Sequence, residues 1–555
     1  MKDLMLLNGK IYTMNPKQPK AEAVAARDSK IIAVGKTSDV ENLGKRNFKV
    51  VDLQGKTVVP GFIDCHTHFL SYALSLGQVN LDSITSFDRI LSEIKTSAKK
   101  LRPKEWLLGR GWDKNIVRKG GNFTKEVLDK ICPENPVALR SKDHHLLWVN
   151  TLALRLAGID KHKEDPPGGR IDRDPNSDEP TGILKEYACD LIWEKVSPPS
   201  PEKSKRLLAE AQKTANGFGL TGIHNLEERK AVFFFQQFLK DKKLSLRVCF
   251  WISKEDLDSA IGLGLQSGFG SENISFGGLK LYSDGALGSQ TALMFEPYEN
   301  SRDNFGIEVT SQDELTQWVK KASQAGINVA IHAIGDRGVH QALNAIASCP
   351  LPLAPHGSGV KGQGIELSEV KKWNTRQNKN LRPDGRASAR HRIEHAQLVH
   401  PQDLERFSRL EVIASVQPYH ATSDRDIVDK YWGKREGFRY PYKSFLNHQT
   451  KLVFGSDAPI ETMDALRIIH AAVTRKREGE KRRAWYPQEC LSVPEAVFAY
   501  TQGASYASYE ERIKGSIQIG KLADMVVLSK DIFKVAPEEI LDTKVESTIL
   551  GGKIV

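Results

Sequence analysis

One stretch of the chain sets two imidazoles two residues apart: Val58-Val59-Pro60-Gly61-Phe62-Ile63-Asp64-Cys65-His66-Thr67-His68. Its apolar, β-branched lead-in reads as a strand. Side chains alternate along a strand, so His66 and His68 share a face and can reach one metal ion. Alone, the pattern could also be two polar residues in a loop. Three later strand-like runs end in residue types that borderline divalent metals accept: Ala330-Ile331-His332, Arg392-Ile393-Glu394-His395 and Phe454-Gly455-Ser456-Asp457. A lone histidine of this kind is more often structural than a ligand, but five candidates at successive strand ends form a constellation.

The chemistry such a set supplies is hydrolysis. A divalent ion can lower the pKa of its water from 15.7 to about 7, and at about 1.36 kcal/mol per unit this is worth roughly 12 kcal/mol. The ion also polarises a carbonyl. Asp457 is placed to take the water's proton and deliver it to a leaving amine. With a single ion, His395 could instead orient the oxyanion.

Residues this far apart meet only in a fold that gathers strand ends. The middle of the chain alternates apolar runs with helical patterns, as parallel βαβ units do. Candidate strands are Val58 to Asp64, Gly222 to His224, Ser245 to Trp251, Gly278 to Tyr282, Asn328 to His332, Arg392 to His395, Val412 to Val416 and Leu452 to Gly455. Eight of them suggest a (β/α)8 TIM-type barrel, whose strand C-termini converge on one mouth. Helices are expected over Glu202 to Gly217 and over Asp313 to Ala325, the latter capped by Gly326. The gap from His68 to His224 far exceeds those from His224 to Lys280 and from Lys280 to His332. An α/β insertion is therefore expected over about 80–200, with a hairpin near Gly168 to Pro175. A Pro-, Gly- and Lys-rich stretch, about 351–389, reads as a flexible loop. Both chain ends read as short strands: Leu4 to Met14, Ala23 to Val34 and Phe48 to Val59, then Leu522 to Leu528 and Thr548 to Val555. Residues 1–60 and 506–555 are expected to form one small composite β-sandwich domain around a barrel of 61–505.

Composition excludes several classes. Across 555 residues, 40% are hydrophobic and 27% charged, which leaves no room for a disordered or collagen-like chain. Six dispersed cysteines form neither a disulfide framework nor a zinc knuckle. With no signal-like or membrane-spanning stretch, a cytoplasmic protein is expected. The net charge of +11 is dispersed, and aromatics do not interleave with the basic runs, so neither nucleic acid nor membrane is expected as a partner. A homodimer is possible. Gly515 to Lys521 mimics the start of a phosphate loop, but Leu522 stands where a hydroxyl residue is required and a strand-like run follows.

Taken together, PGFIDCHTHF, GRGWD, PTGILKE, LKLYSDGALGSQTA, IHAIGD, RIEHAQ, FGSDAPI and GSIQIGKLADMVVL resemble the amidohydrolase superfamily. The likeness is to its YtcJ-like, N-substituted formamide deformylase-like branch (amidohydrolase family 3) and runs over essentially the whole length. The resemblance implies the barrel and the small sheet domain. It also implies that His66, His68 and Asp457 hold one metal, that His332 and His395 hold a second, and that Lys280 bridges them as an N-carboxylated lysine. An ordinary ammonium would be repelled by two adjacent cations, whereas a carbamate is a bridging anion. The plain alternative for Lys280 is a barrel lysine paired with Asp284. Zinc is the expected metal, as one or two ions, with a CO2-derived carbamate if two.

Trp112, Asp113, Asp143, His144, Asn150 and Glu186, at family-like motifs in the insertion, could line the mouth, as could Asp284. Gln290 replaces an arginine common in the resembling sequences, which puts an anion-binding role there in doubt. The expected reaction is hydrolysis of an amide, carbamate or N-formyl C–N bond of a small molecule. Deamination or cyclic-amide opening by the same chemistry is the close alternative. A non-catalytic binding protein on the same fold is the distant one, and it would lack ligands that are all present here.

Overall fold

The computed structural model describes residues 3–82, 84, 86–112, 123–141, 146–166, 169–197, 199–227, 229–299, 301–349 and 389–555, with Glu186 described for its backbone alone. The stretch expected as a loop, 351–389, lies outside these residues but for its last position.

Eight parallel strands form one sheet: β1 (Phe62–Thr67), β2 (Leu220–Asn225), β3 (Arg247–Ile252), β4 (Ile274–Tyr282), β5 (Asn328–Ala333), β6 (Arg392–His395), β7 (Ile413–Val416) and β8 (Leu452–Phe454). They pair in chain order. The two outer strands meet just past their ends. Thr67 forms a parallel bridge with Ala458, the Asp457 amide donates to the His66 carbonyl at 2.8 Å, and the His68 amide donates to the Ala458 carbonyl at 2.9 Å. The sheet thus nearly closes into a barrel. Its strands are buried almost throughout, as parallel strands covered on both faces must be, and their sequences accordingly read as apolar runs.

Helices follow the strands. Gln312–Gln324 starts at Ser311, whose side chain accepts from the Glu314 amide. Asp313 and Glu314 favour the helix dipole in its first turn, and the chain turns left-handed at Gly326. Asp464 caps Ala465–Thr474 in the same manner, accepting from the Leu466 and Arg467 amides.

The strand expected over Val58 to Asp64 is in fact two. Thr57–Pro60 pairs with Met525–Leu528 and Lys10–Tyr12, whereas Phe62–Thr67 enters the barrel. The switch is at Gly61, where a Cβ would lie 2.2 Å from Thr221 Oγ1. The long strands expected near the N-terminus are likewise broken, at Asn8, at Asp28 and Ser29, and at Gln54, all of positive φ.

The chain ends build a four-stranded sheet from 3–52 and a six-stranded one that joins 10–60 to 525–554. Leu4, Leu6 and Val24 of the first share a core with Ile11, Val58, Met525 and Ile549 of the second. The phosphate-loop mimic is a turn in this region. Lys521 Nζ donates to the Glu511 carbonyl and to Ser516 Oγ, and strand Met525–Leu528 follows.

The chain divides into two compact units. One comprises Met1–Leu70 and Gln212–Val555, and so contains the barrel and both terminal sheets; the other is Ser71–Ala211. The second unit has a six-stranded sheet of its own, in which Gly169–Arg173 and Pro180–Glu186 pair antiparallel. Among the described residues, no helix is long and apolar enough to cross a membrane.

Candidate metal centre

Alternation along the strands sends Asp64 and His66, Lys280, and Arg392 and Glu394 toward the barrel interior, all of them buried. His395 and Asp457 reach the same space by another route. Each adopts left-handed backbone, with φ of 74° for His395 at the last position of β6 and 62° for Asp457 three residues past the end of β8. For non-glycine residues this is strained and needs surrounding structure to hold it. It turns both side chains inward, where continued alternation would not.

His66, His395 and Asp457 each offer a ligand atom, all within 4.8 Å of one another. His68 Nε2 lies 3.3 Å from Asp457 Oδ1, and His66 Nε2 lies 3.5 Å from the same oxygen. The His332 ring stands 4.4 Å from that of His395, centroid to centroid. All five sequence candidates thus gather at the strand ends. His395 lies beside His66 and Asp457 as well as beside His332. His332 points Nε2 at the Gly285 carbonyl, 3.0 Å away. Burial, with Lys280 nearby, pushes His332 down to about 3, so the neutral ring donates Nε2–H there and its lone pair is on Nδ1.

The Lys280 Nζ is buried and has no hydrogen-bond partner, and its nearest described aromatic contact is the face of Tyr282 at 4.9 Å. Burial pushes this lysine down to about 8, against the pull of Glu394 and Asp457. Buried polar atoms are nearly always paired, so an unpaired Lys280 Nζ and an unpaired His395 Nδ1 fit a site built around an ion and its ligands. Burial acts to raise the Asp457 carboxyl, but His66, His420 and His68 outweigh it and hold this group well below the usual carboxylate range.

Lys280 Nζ makes no hydrogen bond to Asp284, whose Oδ1 lies 3.8 Å from His332 Nε2. The buried Asp284 carboxylate accepts from the amides of Leu293 (2.9 Å), Ile334 (3.0 Å) and Gly335 (2.8 Å), tying down the segments after β4 and β5. Trp112 has a structural role in the packing of the second unit. It packs with Phe123 and Trp148 in the second unit's core and donates its indole N–H to the Leu139 carbonyl. Asn150 caps the helix Thr151–Leu156 and donates to the Cys132 and Asn135 carbonyls, a structural use of all its polar atoms. Asp113, Asp143 and His144 lie outside the described residues, as does the Glu186 side chain.

Four polar residues at the centre escaped sequence reasoning. Glu394 Oε2 lies 2.6 Å from His66 Nδ1, and Arg392 forms an ion pair with Glu394. Asp64 Oδ1 accepts from the amides of His66 (3.1 Å) and Ser456 (2.9 Å), joining the first and last strands. His420, in the short helix after β7, places Nε2 3.3 Å from Asp457 Oδ2. Its burial opposes protonation, but Asp457 and Asp424 push it up to about 9. The available signal was parity: Asp64 precedes His66 by two residues, and Arg392 and Glu394 are two apart on one strand.

With this geometry in view, similarity to known proteins is informative. The Amidohydrolase family matches residues 49–555. Putative amidohydrolase YtcJ of Bacillus subtilis is 32% identical over 99% of this chain and 98% of its own length. Protein LONG AFTER FAR-RED 3 of Arabidopsis thaliana is 33% identical over 99% of this chain and 91% of its own. N-substituted formamide deformylase of Arthrobacter pascens is 25% identical over 100% and 98%. An uncharacterized metal-dependent hydrolase of Pyrococcus furiosus superposes with a TM-score of 0.74 at 27% identity, covering 96% of this chain and 100% of that one. The chain belongs to the amidohydrolase family. It is a metal-dependent hydrolase of that class, acting on carbon–nitrogen bonds, and its likeness to the YtcJ-like branch extends over its whole length.

Proposed function

We propose that this enzyme hydrolyses a linear amide, carbamate or N-formyl bond of a small molecule, releasing an amine. His66, His68, His332, His395 and Asp457 would hold the divalent metal, with zinc the best match to an imidazole and carboxylate set. When bound, the metal supplies Lewis acidity toward water and the substrate carbonyl. Asp457 Oδ1 accepts the proton of the attacking water and passes it to the leaving nitrogen. His420, on the other carboxylate oxygen, keeps Asp457 oriented during that transfer. Lys280 is read as an N-carboxylated lysine whose carbamate would supply a further anionic ligand to the metal. Its neutral Nζ would add to CO2, an N–C bond forming as one C=O π pair moves onto oxygen, and the N–H proton would leave to solvent. Support for this comes from its burial, its lack of a partner and the depressed ammonium, which gives a usable fraction of neutral amine near neutral pH.

The observation that carries the reading is the convergence of His66, His395 and Asp457 within 4.8 Å beside the unpaired Lys280. The direct test is metal analysis of the purified enzyme with a screen of N-substituted formamides, N-acyl amines and carbamates. Zinc in the wild type, amine release, and loss of at least about a hundredfold in kcat in Asp457→Asn with the protein still folded are expected. A fully metallated enzyme inert toward all three classes would overturn the substrate assignment.

A further inference from the structure

We infer that Glu394, locked by Arg392, is a positioning residue that fixes the tautomer of His66 and so sets how tightly the centre keeps its metal. The inference rests on the metal reading above and adds a determinant of that binding.

The geometry begins with the short contact between Glu394 Oε2 and His66 Nδ1, 2.6 Å, with both side chains almost wholly buried. A carboxylate only accepts, so Nδ1 carries the hydrogen and Nε2 presents its lone pair toward Asp457. Gln417 Nε2 also approaches Nδ1, but at 3.4 Å, the far limit of a hydrogen bond. Glu394 is fully buried, and the cation beside it is Arg392, whose Nε lies 2.5 Å from Glu394 Oε1.

Arg392 cannot turn away from the pair. Its guanidinium stacks on Trp251 at 4.3 Å, one terminal nitrogen donates to His224 Nδ1 at 2.9 Å, and the other donates to the Cys65 carbonyl at 3.0 Å. Arginine has only donors, so His224 is held as an acceptor at Nδ1. The Cys65 carbonyl belongs to the strand that carries His66, which means the same guanidinium orients Glu394 and braces the backbone of the ligand it serves. Glu394 Oε2 meets His66 and Oε1 is ion-paired with Arg392 without a hydrogen bond between them. This distinguishes Glu394 from its neighbour His395, which the left-handed turn frees to face the metal space.

The arrangement makes a specific prediction for Glu394→Gln. Arg392 draws the amide oxygen toward itself, which leaves the NH2 facing His66. Nδ1 must then accept, the hydrogen moves to Nε2, and the lone pair needed for the metal is lost. Zinc affinity, measured by competition against a chromophoric chelator, is expected to fall roughly 10–100-fold. The zinc-induced rise in Tm should shrink accordingly. Glu394→Asp keeps the charge but withdraws the oxygen, and is expected to weaken zinc less. A purely structural role would lower the Tm of metal-free and zinc-loaded protein alike and leave zinc affinity at the wild-type value, which would overturn the inference. If Glu394→Gln does not fold, Glu394→Asp carries the test, and wild-type zinc affinity in that variant overturns it. A wild-type protein that binds no zinc would overturn the metal reading and this inference together.

Discussion

Gly455 lies so close to His66 that a Cβ built on it would sit 2.5 Å from His66 Cβ and 2.6 Å from the His66 amide nitrogen. This contact is the seam at which the last barrel strand meets the first, and both sides are pinned by the hydrogen bond from the Asp457 amide to the His66 carbonyl. Gly455→Ala must therefore spread the seam. A loss of about 1–3 kcal/mol is expected from overpacking, read from urea unfolding, together with weaker zinc retention because His66 and Asp457 move apart. Wild-type zinc affinity in that variant would show that the seam tolerates a methyl group.

Asp64 makes the second link across this seam, and only its Oδ1 is used; Oδ2 is buried without a partner. Asp64→Asn can keep the used oxygen. Asp64→Ala strands two buried amides, and a loss of about 2–6 kcal/mol is expected for it at roughly 1–3 kcal/mol per unsatisfied group. Comparison of the two denaturation curves isolates the acceptor from the charge.

Arg390 is clamped between Tyr506 (3.9 Å) and Tyr509 (4.1 Å) and forms a bidentate pair with Glu511 at 2.8 Å. Arg390, Tyr506 and Glu511 are buried and Tyr509 is half-buried, and no candidate ligand is among these partners. Arg390→Met leaves the Glu511 charge uncompensated and should cost about 3–5 kcal/mol. Zinc affinity should be unchanged, which makes this variant a control for Glu394→Gln.

In the second unit, Trp112 is a packing residue. Trp112→Ala is expected to cost about 3–5 kcal/mol by opening a cavity beside Phe123 and Trp148, and Trp112→Phe less. A Trp112→Phe enzyme of normal stability with a selectively raised KM would restore it to the substrate pocket.

Burial pushes the Lys521 ammonium down to about 8, with Glu511 opposing. Between about pH 8 and 10.4 the unfolded chain then binds more protons at this lysine than the folded one does, so its contribution to stability rises with pH across that window. The wild-type advantage over Lys521→Met should grow by up to roughly 3 kcal/mol from pH 7.5 to 10.4, measured as paired chemical denaturation. A pH-independent difference would contradict the depressed ammonium.

Much of the barrel was legible because parallel strands buried on both faces must be apolar along their length, and the strand over Arg392 to His395 was read with its observed limits. The breaks were not legible. The run Val58 to Asp64 looks continuous, since nothing local reveals that Thr221 will stand where a Cβ of Gly61 would go. The structural uses of Trp112 and Asp284 were not legible for a related reason. An aromatic and a carboxylate in motif-like loops look chemical until a neighbouring ring or three backbone amides are seen to occupy them.

The order of amino acids alone determined that histidine and aspartate would close successive strands, because periodicity and ligand chemistry are properties of short segments. Only the tertiary structure decided which of these side chains face one another. Glu394 meets His66 across 328 residues of chain, and His395 joins His66 and Asp457 through a left-handed turn that alternation does not foretell. Such contacts depend on barrel closure and backbone reversal, which arise from the packing of the whole chain and leave no mark on any one stretch of it.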